Sequence, residues 1–186
     1  MTLPWGGALI AVTRIRSFAP IAASHAAVLI LGSMPGMASL RARQYYAHPR
    51  NQFWRIVGDL LGFDPALPYD ERVAGLAASG IALWDVLKSC TRAGSLDADI
   101  ENGSIVPNDF KKFFAGHPLI RRVYFNGATA ESCYRRHVLS LLPAPPLEYR
   151  RLPSTSPAHA ALSYEKKRAA WRVVAREFVR SPRRVS

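Results

Sequence analysis

Between Val28 and Trp54 the chain passes from an apolar run through a small-residue turn and a polar, aromatic loop into an amphipathic helix. The run Val28-Leu29-Ile30-Leu31 shows no polar alternation, the pattern of a strand buried on both faces of its sheet. Such a strand needs neighbours on both edges and helices above and below, which points to an α/β fold. Gly32-Ser33-Met34-Pro35-Gly36 then lets the backbone turn tightly, and Gln44-Tyr45-Tyr46-Ala47-His48-Pro49-Arg50-Asn51 follows. In an open α/β sheet, ligands sit outside the carboxyl ends of the strands, where this loop would lie. It offers a flat ring for stacking, amides for edge recognition and arginines for phosphate, the inventory of a nucleobase pocket.

Similar apolar runs recur at residues 81–84 and 123–125, with a weaker one at 147–152. Between the first two strands, Phe53, Ile56, Val57, Leu60 and Leu61 trace the stripe of a half-buried helix that Gly62 ends. A second helix is expected at residues 70–79, stopped by Gly80. Ala130, Cys133, Tyr134, His137, Val138 and Leu141 form a third stripe, closed by Pro143-Ala144-Pro145-Pro146, and Trp171, Val174, Ala175 and Phe178 mark a last helix over 164–178. Strands alternating with helices predict a single three-layer α/β/α domain with a central, mostly parallel four-stranded sheet. We place that domain at residues 16–180, between a loosely attached extension (1–15) and a basic tail (181–186).

The 186 residues carry a formal charge of +12, and twenty of the twenty-five basic side chains are arginine. Arginine forks onto phosphate and stacks on bases, so a polyanionic partner is expected, although arginine-rich composition also follows from GC-rich coding. Cys90 and Cys133 stand far apart, outside any Cys/His cluster, which excludes a zinc finger or a four-cysteine iron–sulfur site within one chain. Cys133 is expected in the core, and Cys90 as a reduced thiol. The apolar patch at residues 8–12 lacks a preceding basic residue and is too short to span a bilayer. A cytoplasmic protein without a membrane anchor is expected.

Taken singly, the motifs keep ordinary readings. The turn at residues 32–36 is neither G-x-G-x-x-G nor a P-loop, and Ser33 is not in a G-x-S-x-G elbow, so it serves equally as a plain strand-to-loop turn. Asn51 is either a helix-start residue or an amide holding a water or a base edge. Asp85, at the end of the second strand, either caps the next segment or faces a ligand. Asn126 occupies the matching end of the third strand. Ser154-Thr155-Ser156-Pro157-Ala158-His159 is compositionally a Ser/Pro loop, yet its position after the fourth strand puts it on the same rim, where hydroxyls bond phosphate oxygens.

Together these residues resemble the uracil-DNA glycosylase superfamily, over residues 18–178. Tyr45-Tyr46-Ala47-His48-Pro49-Arg50-Asn51-Gln52-Phe53-Trp54, with Ser154-Thr155-Ser156-Pro157-Ala158-His159-Ala160, is most similar to the hypoxanthine-DNA glycosylase (DNA-deoxyinosine glycosylase) branch. The resemblance implies that Tyr46 stacks on an extruded base and that Gly32, Ser33, Met34, Pro35 and Gly36 wall the pocket. It implies that Asn51 holds the attacking water. Asp85 and Asn126 join the base-binding set, while Ser154, Thr155, Ser156, Pro157 and His159 grip DNA, with His159 as the wedge. One departure is clear: the superfamily's first motif usually carries Asp or Asn in the glycine turn, where this chain has Ser33 and Met34. The water-handling role therefore moves to Asn51.

The implied activity is that of a monofunctional DNA glycosylase hydrolysing the N-glycosidic bond of deaminated bases, above all hypoxanthine, in base excision repair. It would act as a monomer on double-stranded DNA, with no cofactor and no metal, in the cytoplasm at the nucleoid. A G:U mismatch-specific uracil glycosylase is the alternative within the class. A non-catalytic nucleic-acid-binding module, and behind it a nucleotide-binding Rossmann-like protein, stand outside it.

Overall fold

The computed structural model describes residues 13–142 and 147–179. In chain order it contains β1 (Thr13–Arg16), β2 (Val28–Gly32), α1 (Met37–Ala42), α2 (Phe53–Leu61), α3 (Tyr69–Ala78), β3 (Ile81–Asp85) and β4 (Leu87–Arg92). There follow β5 (Val106–Pro107), α4 (Phe110–Gly116), β6 (Arg122–Asn126), α5 (Ala128–His137), β7 (Glu148–Leu152) and α6 (Tyr164–Val179). The main sheet has four parallel strands in the order β3-β2-β6-β7. Val28 pairs with Ile81 on one side and Arg122 on the other, so β2 is central, as its unbroken apolar run requires.

Alternate residues of each strand feed two separate cores. Leu29, Leu31, Ala82, Trp84, Val123 and Phe125 face Phe110 and Phe113 of α4 and Tyr134 of α5. Val28, Ile30, Ile81, Leu83 and Tyr124 face Phe53, Ile56 and Val57 of α2, Leu76 of α3 and Trp171 of α6. The sheet is thus the middle of three layers, and large side chains on either side are fully buried, Trp171 and Phe53 among them. Truncating one of these to alanine typically costs about 3–5 kcal/mol. No described helix is long and apolar enough to cross a membrane.

Three expectations need correction. Residues 13–15 are not loose: with Arg16 they form β1, antiparallel to β4 in the small sheet β1-β4-β5. Ile15, only 7% exposed, is the one inward side chain of that strand, so no hydrophobic alternation announces it. Leu141, placed on an inward stripe, is 66% exposed, because α5 ends at His137 and the chain tightens into a 3₁₀ turn at Leu139–Leu141. Cys133 is only partly buried, packed against the core rather than within it. Residues 1–12, the linker at 143–146 and the tail from residue 180 lie outside the described residues, as does the side chain of Phe178.

Candidate nucleic-acid interface and active site

The carboxyl ends of β2, β3 and β6 and the loop after β7 enclose one cavity of about 690 Å³. This is where an open parallel sheet binds its ligands, and the volume suits a small-molecule or base-sized guest. Gly32, Ser33, Met34, Pro35, Gly36, Tyr46, Asn51, Asp85 and Asn126 all line it, with Ser154, Thr155, Ser156, Pro157 and His159 on the far loop. Every residue singled out from the sequence is therefore brought to one place.

Tyr46 forms an aromatic shelf. Its ring stacks on Phe53 at 4.1 Å between centroids and 24° between planes. Phe53 in turn meets Trp54 and Trp171 edge-on, so the shelf stands on a rigid base. Trp54 Nε1 donates to the carbonyl of Tyr45, and the Tyr45 hydroxyl donates to the carbonyl of Ala19, which fixes the approach to the shelf. Tyr46 adopts φ 55°, a left-handed conformation that costs a non-glycine residue on the order of 1–3 kcal/mol. Its hydroxyl is buried, with the Asn126 amide as its polar neighbour. Burial, then the negative charge of Asp85, pushes its ionisation far above the usual tyrosine range.

Gly32 has no room for a side chain: a Cβ there would lie 2.5 Å from Asp85 Oδ1 and 3.0 Å from the Tyr46 hydroxyl. That close approach puts a backbone edge, a carboxyl and a phenol at the cavity floor. Asp85 is 3% exposed, and Ser17 Oγ donates to its Oδ2 at 3.0 Å. Burial pushes its carboxyl up to about 7, with the Ser17 hydroxyl working against the shift and the charge of Asp97 adding to it.

The two asparagines are less free than the sequence suggests. Asn126 Nδ2 donates to Thr155 Oγ1 at 2.9 Å, while its Oδ1 accepts Thr155 N–H at 2.8 Å. Asn126 thus fastens the far loop at both ends of its amide, and its remaining polar capacity lies beside the Tyr46 hydroxyl. Gln52 N–H adds a bond to the Thr155 carbonyl, and Trp171 Nε1 holds the Pro153 carbonyl. Gly127, at φ 102°, is required where a Cβ would come 3.0 Å from Ser154 Cβ. Asn51 Oδ1 accepts Phe53 N–H at 3.0 Å, the bond of a helix-start residue, and its side chain also lines the cavity. Asn51 is thus a helix-start residue whose side chain also reaches the cavity. Ser154 Oγ and Ser156 Oγ accept local backbone N–H groups at 3.2 Å and retain their own protons for donation. His159 is exposed at the rim.

Sequence reasoning missed the segment after β4. Ser95, Leu96, Asp97 and Ala98 line the same cavity. Ser33 Oγ donates to Asp97 at 2.8 Å (Oδ1) and 2.7 Å (Oδ2), and Met37 N–H donates to Ser95 Oγ. Arg92, 3% exposed, donates through Nη2 to the Pro35 carbonyl at 2.7 Å and stands 4.0 Å from Asp97. Leu96 is 53% exposed at the mouth. Nothing in residue spacing links position 97 to position 33. The signal is β4 itself, which leads the chain from Asp85 towards the glycine turn and whose mixed Leu-Lys-Ser-Cys-Thr-Arg wording hides it.

Residues 19–180 match the model of the uracil DNA glycosylase superfamily. The chain is 35% identical to a hypoxanthine DNA glycosylase of Methanosarcina acetivorans over 162 residues, covering 87% of this chain and 98% of that one. It is 39% identical to a hypoxanthine DNA glycosylase of Methanosarcina barkeri over 113 residues, 60% of this chain and 70% of the relative. The solution NMR structure of a candidate uracil DNA glycosylase from Methanosarcina acetivorans superposes with a TM-score of 0.75 at 33% identity, covering 90% of this chain and 99% of that one. With the fold, the position of the cavity and the match over most of its length in agreement, the chain belongs to the uracil DNA glycosylase superfamily.

Proposed function

We propose that the protein is a monofunctional DNA glycosylase that hydrolyses the N-glycosidic bond of hypoxanthine and related deaminated bases in double-stranded DNA. The observation that carries this reading is the shelf of Tyr46 on Phe53, set over a floor of Gly32 backbone and Asp85, in a chain 35% identical along most of its length to a hypoxanthine DNA glycosylase. A base inside a duplex is out of reach of such a cavity, so the nucleotide swings out, at a cost of roughly a few kcal/mol that is least for a mispaired base. Tyr46 then stacks on it, and the turn at residues 32–36 and Asp85 meet its edge. Asn126 acts by holding the far loop in place. The far loop grips phosphates through Ser154, Thr155 and Ser156, and His159 fills the vacated stack.

Bond cleavage builds positive charge on the sugar and negative charge on the leaving base. Asn51 holds the water, its amide fixed by the Phe53 bond. A single chain is proposed as the acting unit. The cytoplasm is the compartment proposed, consistent with two free thiols.

The test is direct. Duplexes bearing one inosine, uracil or xanthine are incubated with the protein and then cleaved with alkali at the abasic site. We expect strand scission at inosine, undiminished by EDTA. Scission at uracil alone would move the assignment to the mismatch uracil glycosylases. Scission at none would leave a binding module.

A further inference from the structure

Hydrolysis is accelerated by a group that takes a proton from the attacking water, and Asn51, as an amide, is not a base. The imidazoles lie at the edge: His48 Nδ1 already accepts Arg50 N–H, and His159 is exposed on the far loop. Among the described residues two carboxylates line the cavity, Asp85 and Asp97. Asp85 lies at the cavity floor, 3% exposed, where it faces the base edge, and Ser17 donates to its Oδ2. Asp97 differs in each respect. Its side chain is 34% exposed, so water reaches it, and both its oxygens are held by one hydroxyl of the glycine turn.

Resting on the glycosylase reading, we propose that Asp97 is the catalytic base of this protein, delivered to the glycine turn by the segment after β4 and aimed by Ser33. As the C1′–N bond breaks, its electron pair leaves with the base. The water oxygen bonds to C1′, and the water proton passes to the Asp97 carboxylate, while solvent protonates the departed base anion. Ser33 is a positioning residue: its single proton spans both carboxylate oxygens, and with the Thr129 hydroxyl also bonded the carboxylate still has a lone pair for the water. Arg92 holds the turn through the Pro35 carbonyl and keeps a positive charge 4.0 Å from the carboxylate. Burial raises the Asp97 pKa, opposed by the Ser33 hydroxyl, by Arg92 and by the Thr129 hydroxyl.

The experiment measures single-turnover excision of hypoxanthine, affinity for the same duplex and thermal melting, for wild type, Asp97→Asn, Asp97→Ala and Ser33→Ala. We expect Asp97→Asn to lose about 100-fold or more in rate, within the 10²–10⁴ range of general-base catalysis, at affinity within about threefold of wild type. Asp97→Ala should regain at least about tenfold when formate is added, because a small carboxylate can enter the space vacated. Ser33→Ala should lose roughly tenfold with its carboxylate still present. Three outcomes overturn the proposal: Asp97→Asn within about threefold of wild type, a rate loss matched by lost melting cooperativity or DNA affinity, or no rescue by formate. If wild type itself excises no deaminated base, the glycosylase reading falls, and this inference with it.

Discussion

At the level of single residues, Asn51 has one observed contact and one proposed task, and experiment can separate them. Asn51→Ala removes the bond to Phe53 N–H, worth about 1 kcal/mol at a helix start, and removes the amide from the cavity. Stability should fall slightly, whereas the single-turnover rate should fall about 100-fold with DNA affinity nearly intact. A variant cutting at the wild-type rate would leave Asn51 as a helix-start residue only. Asp85 offers a stability test. Its folded pKa, about 7, exceeds the ordinary 3.8, so its contribution is full below about pH 4 and is lost as pH rises through 7. Melting should therefore decline between about pH 4 and 7 in wild type and level off above that, and the decline should flatten in Asp85→Asn. Parallel curves for the two proteins would show that Asp85 is not the titrating group.

Among the elements, β2 and α2 were legible because a fully apolar run and a 3.6-residue stripe are local signals. The small antiparallel sheet was not. In β1 a single buried residue, Ile15, carries the packing, and its partner β4 lies some seventy positions away, so neither strand reveals itself alone. The same blindness hid Asp97 and Leu96, which reach the cavity only because β4 pairs as it does. Tyr46, Asn51 and the residues of the far loop were found by resemblance in wording, and the bonds that commit Asn126 to Thr155 could not be read that way. The loop after β4 now gives the wedge assignment a rival. His159 is polar, whereas Leu96 is apolar and exposed at the mouth. Filling a vacated stack offsets roughly a few kcal/mol of unstacking. His159→Ala should lose more activity on a paired duplex than on single-stranded DNA, with Leu96→Ala measured beside it. Equal losses on both substrates for His159→Ala, with a duplex-selective loss for Leu96→Ala, would reassign the wedge to Leu96.

For the molecule as a whole, charge and architecture divide the labour. A formal charge of +12, mostly arginine, should make DNA binding fall steeply with salt as counterions are released, and titration at several salt concentrations measures the slope. A flat slope would mean that the arginines face away from DNA. Specific chemistry rests on a different part of the chain. Trp171 belongs to α6, the last described element, and it joins the two halves of the site: its ring meets Phe53 beneath the Tyr46 shelf, and its indole N–H holds the carbonyl of Pro153. Among the described residues, every one that lines the cavity precedes position 160. A nonsense mutation shortly after that position would spare every reacting group and still silence the gene, because the transcript would encode the tools without the vice that grips them.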